Sequence, residues 1–315
     1  MAEEGKIAIV GAGRVGSTFA YTLALSGMVR EIVLIDKESG HAEGEAMDIS
    51  HAVASKAPVS IVPGGLADTS GAAVTVIAAG VAQKAGEKRP ALLQRNIEVL
   101  RGIIPDVVRA NPDGILLIAT NPVDAATFAA LRLSGLPSST VFGSGTVLDT
   151  ARLRTVLSLR YGIDARNIHA YVLGEHGDSE FVAWSSAAVA NMPLGEYSRL
   201  TGMPYSVKER ETVEAQVRNA AYEIIRRKGA TNFAIATSMM RIIEAIIRDE
   251  ASILTVSALV DGPYGLHGVC LSLPAIVDRS GIRQVMPIAL SEDEMSCLRR
   301  SAEAVEKMVA SAGIA

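Results

Sequence analysis

Two glycines enclose a histidine in Leu173-Gly174-Glu175-His176-Gly177-Asp178-Ser179, directly after an apolar run from Ile168 to Leu173 that reads as a strand. Flanking glycines let the backbone turn sharply, so the imidazole stands at a strand end and faces a cleft. Imidazole titrates close to neutral pH, and a positioned one can hand a proton over and take it back. A loop histidine is more often a surface or hydrogen-bonded residue than a catalyst, so the rest of the chain has to supply its partners. Leu148-Asp149-Thr150-Ala151-Arg152-Leu153-Arg154 opens a helix running to about Tyr161, with Asp149 and Arg152 three apart on one face. As a local ion pair on a surface they would be worth little. With divided roles, Asp149 accepts the Nδ1–H of His176 and favours imidazolium, while Arg152 presents a fork to a carboxylate. Arg154 points elsewhere, two residues on.

A second chemical site lies at the start of the chain. Lys6 to Val10 is apolar, Gly11-Ala12-Gly13-Arg14-Val15-Gly16 follows, and Val15, Phe19 and Leu23 then recur at helical spacing. A second apolar run, Glu31 to Ile35, ends in Asp36, twenty positions after Gly16. Strand, glycine turn, helix, strand and acid together point to a dinucleotide site; the alternative is an ordinary βα turn. Gly11 allows the tight turn, Gly13 lets a pyrophosphate approach the backbone, and Gly16 lets the helix pack closely on the strand. The helix N-terminus contributes N–H groups and positive dipole. Asp36 accepts from a ribose hydroxyl and repels a 2′-phosphate, which selects NAD over NADP.

The elements around these sites set the fold class. Further strands are expected at Val59–Val62, Val74–Ala79, Ile115–Thr120 and Thr140–Phe142, with amphipathic helices between them, the clearest from Ala91 to Arg109. That alternation predicts an α/β fold, a Rossmann-type doubly wound parallel sheet with helices on both faces, and ligands beyond the strand C-terminal ends. Two post-strand segments stand out. Residues 80–90 are polar, glycine-bounded and cationic, composed as a mobile lid or a plain surface loop. In Thr120-Asn121-Pro122-Val123-Asp124, Pro122 is expected to open the next helix, leaving Asn121 as either a helix cap or a ligand. A boundary near Gly145 separates an NAD-binding domain (1–144) from an α+β substrate domain (145–315). There Phe181–Asn191 is expected as a strand and Ser206–Arg227 and Thr231–Arg248 as helices, with Thr231 the N-cap of the second. Antiparallel strands are expected at Ile253–Val260 and Gly268–Leu273, and a closing helix at Ser291–Ser311.

Bulk properties narrow the function classes. The 315 residues are 49% hydrophobic and 20% charged, enough for two domains with a substantial core. A net charge of −4 without like-charge runs argues against a nucleic-acid or anionic-membrane partner. Cys270 and Cys297 form neither a disulfide framework nor a zinc-ligand spacing, and no metal site is expected. The charged start has no signal-peptide character, and no apolar stretch nears the roughly 20 residues of a membrane helix, so a cytoplasmic protein is expected.

Taken together, GAGRVG with Asp36, GEAMDISH (44–51), AGVAQKAGEKR (79–89), TNPVD, LDTARLR, GEHGDSE and KGAT resemble the L-lactate/L-malate dehydrogenase superfamily nearly end to end. The resemblance implies an NAD-dependent 2-hydroxy acid dehydrogenase. In it His176, held by Asp149, exchanges a proton with the substrate oxygen, and Arg89 polarises the carbonyl on lid closure. Arg152 grips the carboxylate, Asn121 orients the carbonyl oxygen beside the cofactor, and Thr231 lines the pocket. Gly11, Gly13, Val15, Gly16 and Asp36 hold NAD. Members acting on malate carry an arginine at the position of Gln83, so a neutral Gln83 implies pyruvate and lactate as substrates. A second carboxylate there would be desolvated without a cation, costing several kcal/mol. Arg154 and His169 match the fructose 1,6-bisphosphate site of bacterial members; otherwise they are a surface charge and a strand cap. The start at the first strand, without the N-terminal arm of vertebrate relatives, also resembles the bacterial branch, and a homotetramer is implied. The rival readings are a malate dehydrogenase with an unusual lid and a catalytically silent NAD-binding protein.

Overall fold

Short, unbroken apolar runs at regular intervals are what buried parallel strands need, and the chain supplies six of them before residue 145. A computed structural model describes residues 5–81 and 89–314, the side chains of residues 89 and 90 excepted. The first segment runs β1 (Lys6–Val10), α1 (Arg14–Ser26), β2 (Glu31–Ile35), α2 (Ser39–Val53), β3 (Ser60–Gly64), β4 (Val74–Ile77), α3 (Arg89–Ala110), β5 (Ile115–Ile118), α4 (Val123–Ser134) and β6 (Val141–Gly143). Then come α5 (Val147–Tyr161), β7 (Ile168–His169), β8 (Val172–Leu173), β9 (Phe181–Val182), β10 (Ala188–Val189), β11 (Met192–Pro193), α6 (Leu194–Thr201) and α7 (Val207–Lys228). The chain closes with α8 (Phe233–Ile247), β12 (Ser252–Asp261), β13 (His267–Asp278), β14 (Gly281–Val285) and α9 (Glu292–Ser311).

The main sheet has the order β14-β13-β12-β6-β5-β4-β1-β2-β3. Its six parallel strands carry the expected doubly wound α/β pattern, reversing direction of progress between β1 and β4. The antiparallel strands β12 to β14 extend the same sheet, joined to β6 through the Ser257–Gly143 pairing. One face is covered by α1, α2 and α8, with Phe19, Leu23, Met239 and Ile242 fully buried against Ile7, Ile9 and Leu34. The other face carries α3, α4 and α9 over Ala8, Ile77, Leu116 and Ile118. A smaller core between α5 and α7 packs Leu153, Leu157, Val213 and Val217 around Trp184. Trp184 is a core residue, as expected, and its indole N–H donates to Glu214 Oε1 at 2.6 Å.

Three expectations need correction. The run Ile168–Leu173 is two strands in different small sheets, because β7 pairs with β10 while β8 pairs with β9. Phe181–Asn191 is likewise broken: after β9 a single 3₁₀ turn (Trp184–Ser186) intervenes before β10, with Ala190 and Asn191 at positive φ in the following turn. Apolar character alone does not separate a strand from a buried turn. Finally α8 starts two residues later than expected, so Asn232 and not Thr231 is its N-cap.

The α8 side of the sheet offers a direct test of this packing. Ile242→Ala removes a side chain with no exposure from the core that α8 shares with α1 and β13. It should cost about 2–5 kcal/mol, read as a lower urea midpoint with an unchanged m value.

Candidate active site

The site is built from the C-terminal edge of the parallel sheet outward. At the end of β1, Gly11 adopts φ +103°, and a Cβ there would lie 2.5 Å from the backbone nitrogen of Ala79. A Cβ on Gly16 would lie 1.8 Å from the carbonyl oxygen of Gly11, so only glycine lets α1 approach β1 this closely. At Gly13 nothing stands within 4 Å of the Cβ position, and the first turn of α1 opens on that space. Gly11 thus makes a tight turn and Gly16 a close helix–strand contact. Asp36 ends β2 and accepts from Ala12 N at 2.9 Å and Glu38 N at 3.1 Å, which ties the acid to the glycine turn. Gly11, Gly13 and Asp36 line one cavity of about 520 Å³ with Gly65, Ala79 and Val99. Val15, expected here too, is partly buried against the α1–sheet core and does not line that cavity. An open backbone cradle at a helix N-terminus, beside a carboxylate and an apolar cleft, fits a dinucleotide.

The next cavity, about 160 Å³, gathers residues from five distant segments: Leu92, Asn121, Asp149, Arg152, His176 and Arg218 are among its walls. Asp149 sits in the first turn of α5 and is only 1% exposed. One oxygen, Oδ2, accepts from His176 Nδ1 at 2.5 Å, and the other, Oδ1, accepts from Arg152 NH1 at 2.7 Å. The two roles weighed for Asp149 and Arg152 are thus not exclusive: the carboxylate orients both the imidazole and the guanidinium. Burial by itself would push the His176 imidazolium down, but Asp149 beside it, with smaller help from Glu180 and Asp124, raises its pKa to about 9. Burial would lift the Asp149 carboxyl, and the two cations more than offset that, holding it below the ordinary carboxylate value. The protonated pair therefore stabilises the fold fully below the unfolded histidine's pKa of 6.5, and this contribution is lost as pH rises through about 9. At the acid end, the depressed Asp149 contributes above its unfolded pKa and loses its share as pH falls.

A residue that motif reasoning passed over holds the histidine loop from behind. Asp124, at the start of α4 and 2% exposed, accepts the backbone N–H of His176 at 2.7 Å. Its other oxygen accepts from Ser257 at 2.7 Å and Ser272 at 3.2 Å, which roots the loop in β12 and β13. Burial raises the Asp124 carboxyl to about 6 against the opposing effect of the serine and amide donors. Its place in TNPVD was the available signal; its partners lie 52 to 148 residues away in sequence. Ser301 of α9 completes the support, accepting from Glu175 N at 3.2 Å and donating to Ser179 O at 2.7 Å.

The remaining expected residues fall as follows. Asn121 is not a helix cap, since Pro122 is the N-cap of α4; it lines the 160 Å³ cavity, and its carbonyl accepts from Asn96 at 2.7 Å. Thr231 lies outside that cavity's wall, in the connection leaning on α1, where Asn232 donates to Thr18 Oγ1 at 2.9 Å. Arg154 faces away from the cavity, with Nε donating to Ala170 O at 3.3 Å and its guanidinium 5.7 Å from the Tyr171 ring centroid. It lines a separate cavity of about 520 Å³ with Arg166 and Arg241. His169 is exposed in β7 and is not part of that wall. Gln83 and the side chain of Arg89 lie outside the described residues.

Comparison with known proteins decides the family. Residues 5–143 match the NAD binding domain of lactate/malate dehydrogenases, and residues 146–312 match the alpha/beta C-terminal domain of the same family. The chain belongs to the lactate/malate dehydrogenase family. It is an NAD-dependent oxidoreductase, with NAD its cofactor. It is 48% identical over 304 residues to the L-lactate dehydrogenase of Acetivibrio thermocellus, covering 96% of each chain. The L-lactate dehydrogenase of Thermoanaerobacter pseudethanolicus is also 48% identical, over 96% of this dehydrogenase and 98% of that one. Among solved structures, a lactate dehydrogenase from a Medee basin deep-sea metagenome library superposes with a TM-score of 0.94 at 42% identity, covering 98% and 99% of the two chains. The minor L-lactate dehydrogenase of Enterococcus mundtii gives a TM-score of 0.94 at 37% identity, covering 98% of each chain.

Asp149→Asn tests the electrostatics of this dehydrogenase directly. Without that anion, burial, the largest single influence, is opposed only by the weaker effects of Glu180 and Asp124, so the His176 pKa should fall well below 9. A ring-proton NMR titration that left it near 9 would refute the account.

Proposed function

We propose that the protein is an L-lactate dehydrogenase that interconverts pyruvate and L-lactate in the cytoplasm. The observation that carries the reading is the Asp149 carboxylate shared between His176 and Arg152 in one cavity, a proton donor and an anion clamp set by a single group. When bound, the nicotinamide supplies or accepts the hydride. His176 enters the pyruvate direction protonated, gives its proton to the ketone oxygen, and is stabilised as imidazolium by Asp149 in the reverse direction. Arg152 takes the substrate carboxylate by two parallel N–H donors. Asn121 orients the carbonyl oxygen, and Arg89 stabilises the developing oxyanion as the 80–90 segment covers the site; Thr231, outside the wall of the 160 Å³ cavity, is assigned to the substrate pocket of that covered state. The family resemblance supports these last three roles. Gly11, Gly13, Val15, Gly16, Asp36 and Asn121 are assigned to NAD.

The neutral Gln83 supports pyruvate over oxaloacetate, because position 83 then offers no arginine to a second carboxylate. The names carried by relatives at 48% identity point the same way. The division into an NAD-binding domain (1–144) and a substrate domain (145–315) is supported by family matches that end at 143 and resume at 146. We also assign Arg154 and His169 to fructose 1,6-bisphosphate activation, for which the flanking of Ala170 by both residues and the three arginines of the neighbouring cavity give support. Exposed apolar side chains on α2, α5 and α8 (Met47, Leu159 and Phe233) support assembly into a homotetramer.

Steady-state NADH oxidation with pyruvate and oxaloacetate tests the assignment. Pyruvate should be preferred, Gln83→Arg should shift the ratio of kcat/KM toward oxaloacetate by tenfold or more, about 1.4 kcal/mol, and His176→Asn should abolish turnover while NADH still binds. Equal or reversed preference in the unaltered protein would sink the substrate assignment. Fructose 1,6-bisphosphate should lower the KM for pyruvate, an effect that Arg154→Ala with His169→Ala should remove without lowering kcat.

A further inference from the structure

The chemistry assigned to the small cavity leaves one of its ionisable groups unused. Glu180 is 5% exposed and lines the same wall as His176 and Arg152. Its main chain is pinned at both ends: its N–H donates to Gly177 O at 3.2 Å, and its carbonyl accepts from Arg218 NH2 at 3.0 Å. Its carboxyl, one carboxylate oxygen of Asp149 and a ring nitrogen of His176 lie within 4.8 Å of one another. Among the described residues, none donates a hydrogen bond to the Glu180 side chain. The charged groups facing it are Asp149 and Arg152 from α5, His176 and Asp178 from the loop, and Arg218 from α7. Glu214 lies 3.9 Å from Arg218, and Tyr222 donates to Asp178 at 2.9 Å, so both α7 side chains are themselves engaged with acids.

Before substrate enters, three carboxyls (Asp149, Asp178 and Glu180) and three cations occupy this space. A substrate carboxylate adds a fourth and claims the Arg152 fork, one of the charges that opposes ionisation loss at Glu180. Among these buried groups, the least costly relief is a proton on Glu180, which has no hydrogen-bond donor among the described residues, because Asp149 has two. We propose that Glu180 is a proton-linked positioning residue, which takes up a proton from solvent as a monocarboxylate anion settles on Arg152 and returns it when the anion leaves. Its pKa already stands above the ordinary carboxylate range, raised by burial and by Asp149. The device admits one negative charge per proton, so it favours a monoanion over a dianion independently of Gln83. This inference rests on the reading of the cavity as the seat of a 2-oxo acid carboxylate.

The test is calorimetric titration of the enzyme–NADH complex with oxamate, a planar pyruvate isostere that does not accept hydride. Buffers of different ionisation enthalpy, between about pH 6 and 9, separate proton uptake from binding heat. Unaltered protein should take up a fraction of a proton, and about half or more of it should vanish in Glu180→Gln. The KM for pyruvate should rise with pH in the unaltered protein and stay flat in the variant until His176 titrates, with kcat little changed. In the unaltered protein alone, oxamate should produce an infrared band of a protonated carboxyl, which keeps the test decisive should the variant fold poorly. Equal proton uptake in both proteins, with oxamate bound and pyruvate reduced, would overturn the role of Glu180 and leave the dehydrogenase reading intact. No oxamate binding and no pyruvate turnover would overturn both.

Discussion

The organisation of the site depends on one buried carboxylate. Asp149 is held in the first turn of α5 with almost no exposure, and a lone anion in that position would be costly by several kcal/mol. The cost is offset because both of its oxygens accept charge-assisted hydrogen bonds, one from His176 and one from Arg152. Satisfying the carboxylate therefore orients the imidazole and the guanidinium in the same act. Everything else in the neighbourhood can be understood as keeping these three groups in register.

That register is imposed by segments far apart in the chain. The histidine loop is tied through its own backbone to Asp124 on α4, and through Glu175 and Ser179 to Ser301 on α9. Asp124 is in turn fixed by Ser257 and Ser272 on the antiparallel extension of the sheet. The loop is thus anchored by buried polar groups that are all paired, an arrangement in which any single loss leaves an unsatisfied partner. The continuous sheet explains how this is possible. Because β12 and β13 add to β6, the elements that carry the second half of the site share a rigid frame with the glycine turn and Asp36. The cavity beside Gly13 and Asp36 and the smaller one around Asp149 both lie beyond the C-terminal ends of the parallel strands.

The two cavities also differ in how charge is handled. The cavity at the glycine turn relies on backbone: open space at Gly13, the N-terminus of α1, and a single carboxylate tied to Ala12. The smaller cavity concentrates side-chain charge, with Asp149, Glu180, His176, Arg152 and Arg218 around about 160 Å³. Such close packing of titratable groups is what displaces their pKa values, and it makes protonation state a property of the cluster and not of one residue.

How much of this was legible in the sequence varies with the range of the interaction. Local signals were sufficient for the glycine turn, Asp36, the parallel strands and the i, i+3 pairing of Asp149 with Arg152, since each depends on residues close in the chain. The joining of His176 to Asp149 across 27 residues was also foreseen, from the chemistry a proton-carrying histidine requires. Short strands are not legible: the runs at 168–173 and 181–191 each look like one element, because apolar character does not reveal which neighbour a backbone will pair with. The sequence favours Thr231 as the N-cap of α8 where the fold uses Asn232, because a helix end is set by local backbone geometry and not by residue type alone. What the sequence determined by itself was the inventory of chemistry and its local presentation. What only the tertiary structure decided was the set of buried partners: Asp124 and Ser301 behind the loop, Glu180 in the cavity, and Thr231 outside its wall. Burial and pairing between distant segments are set by how the elements pack, and no short-range pattern encodes them.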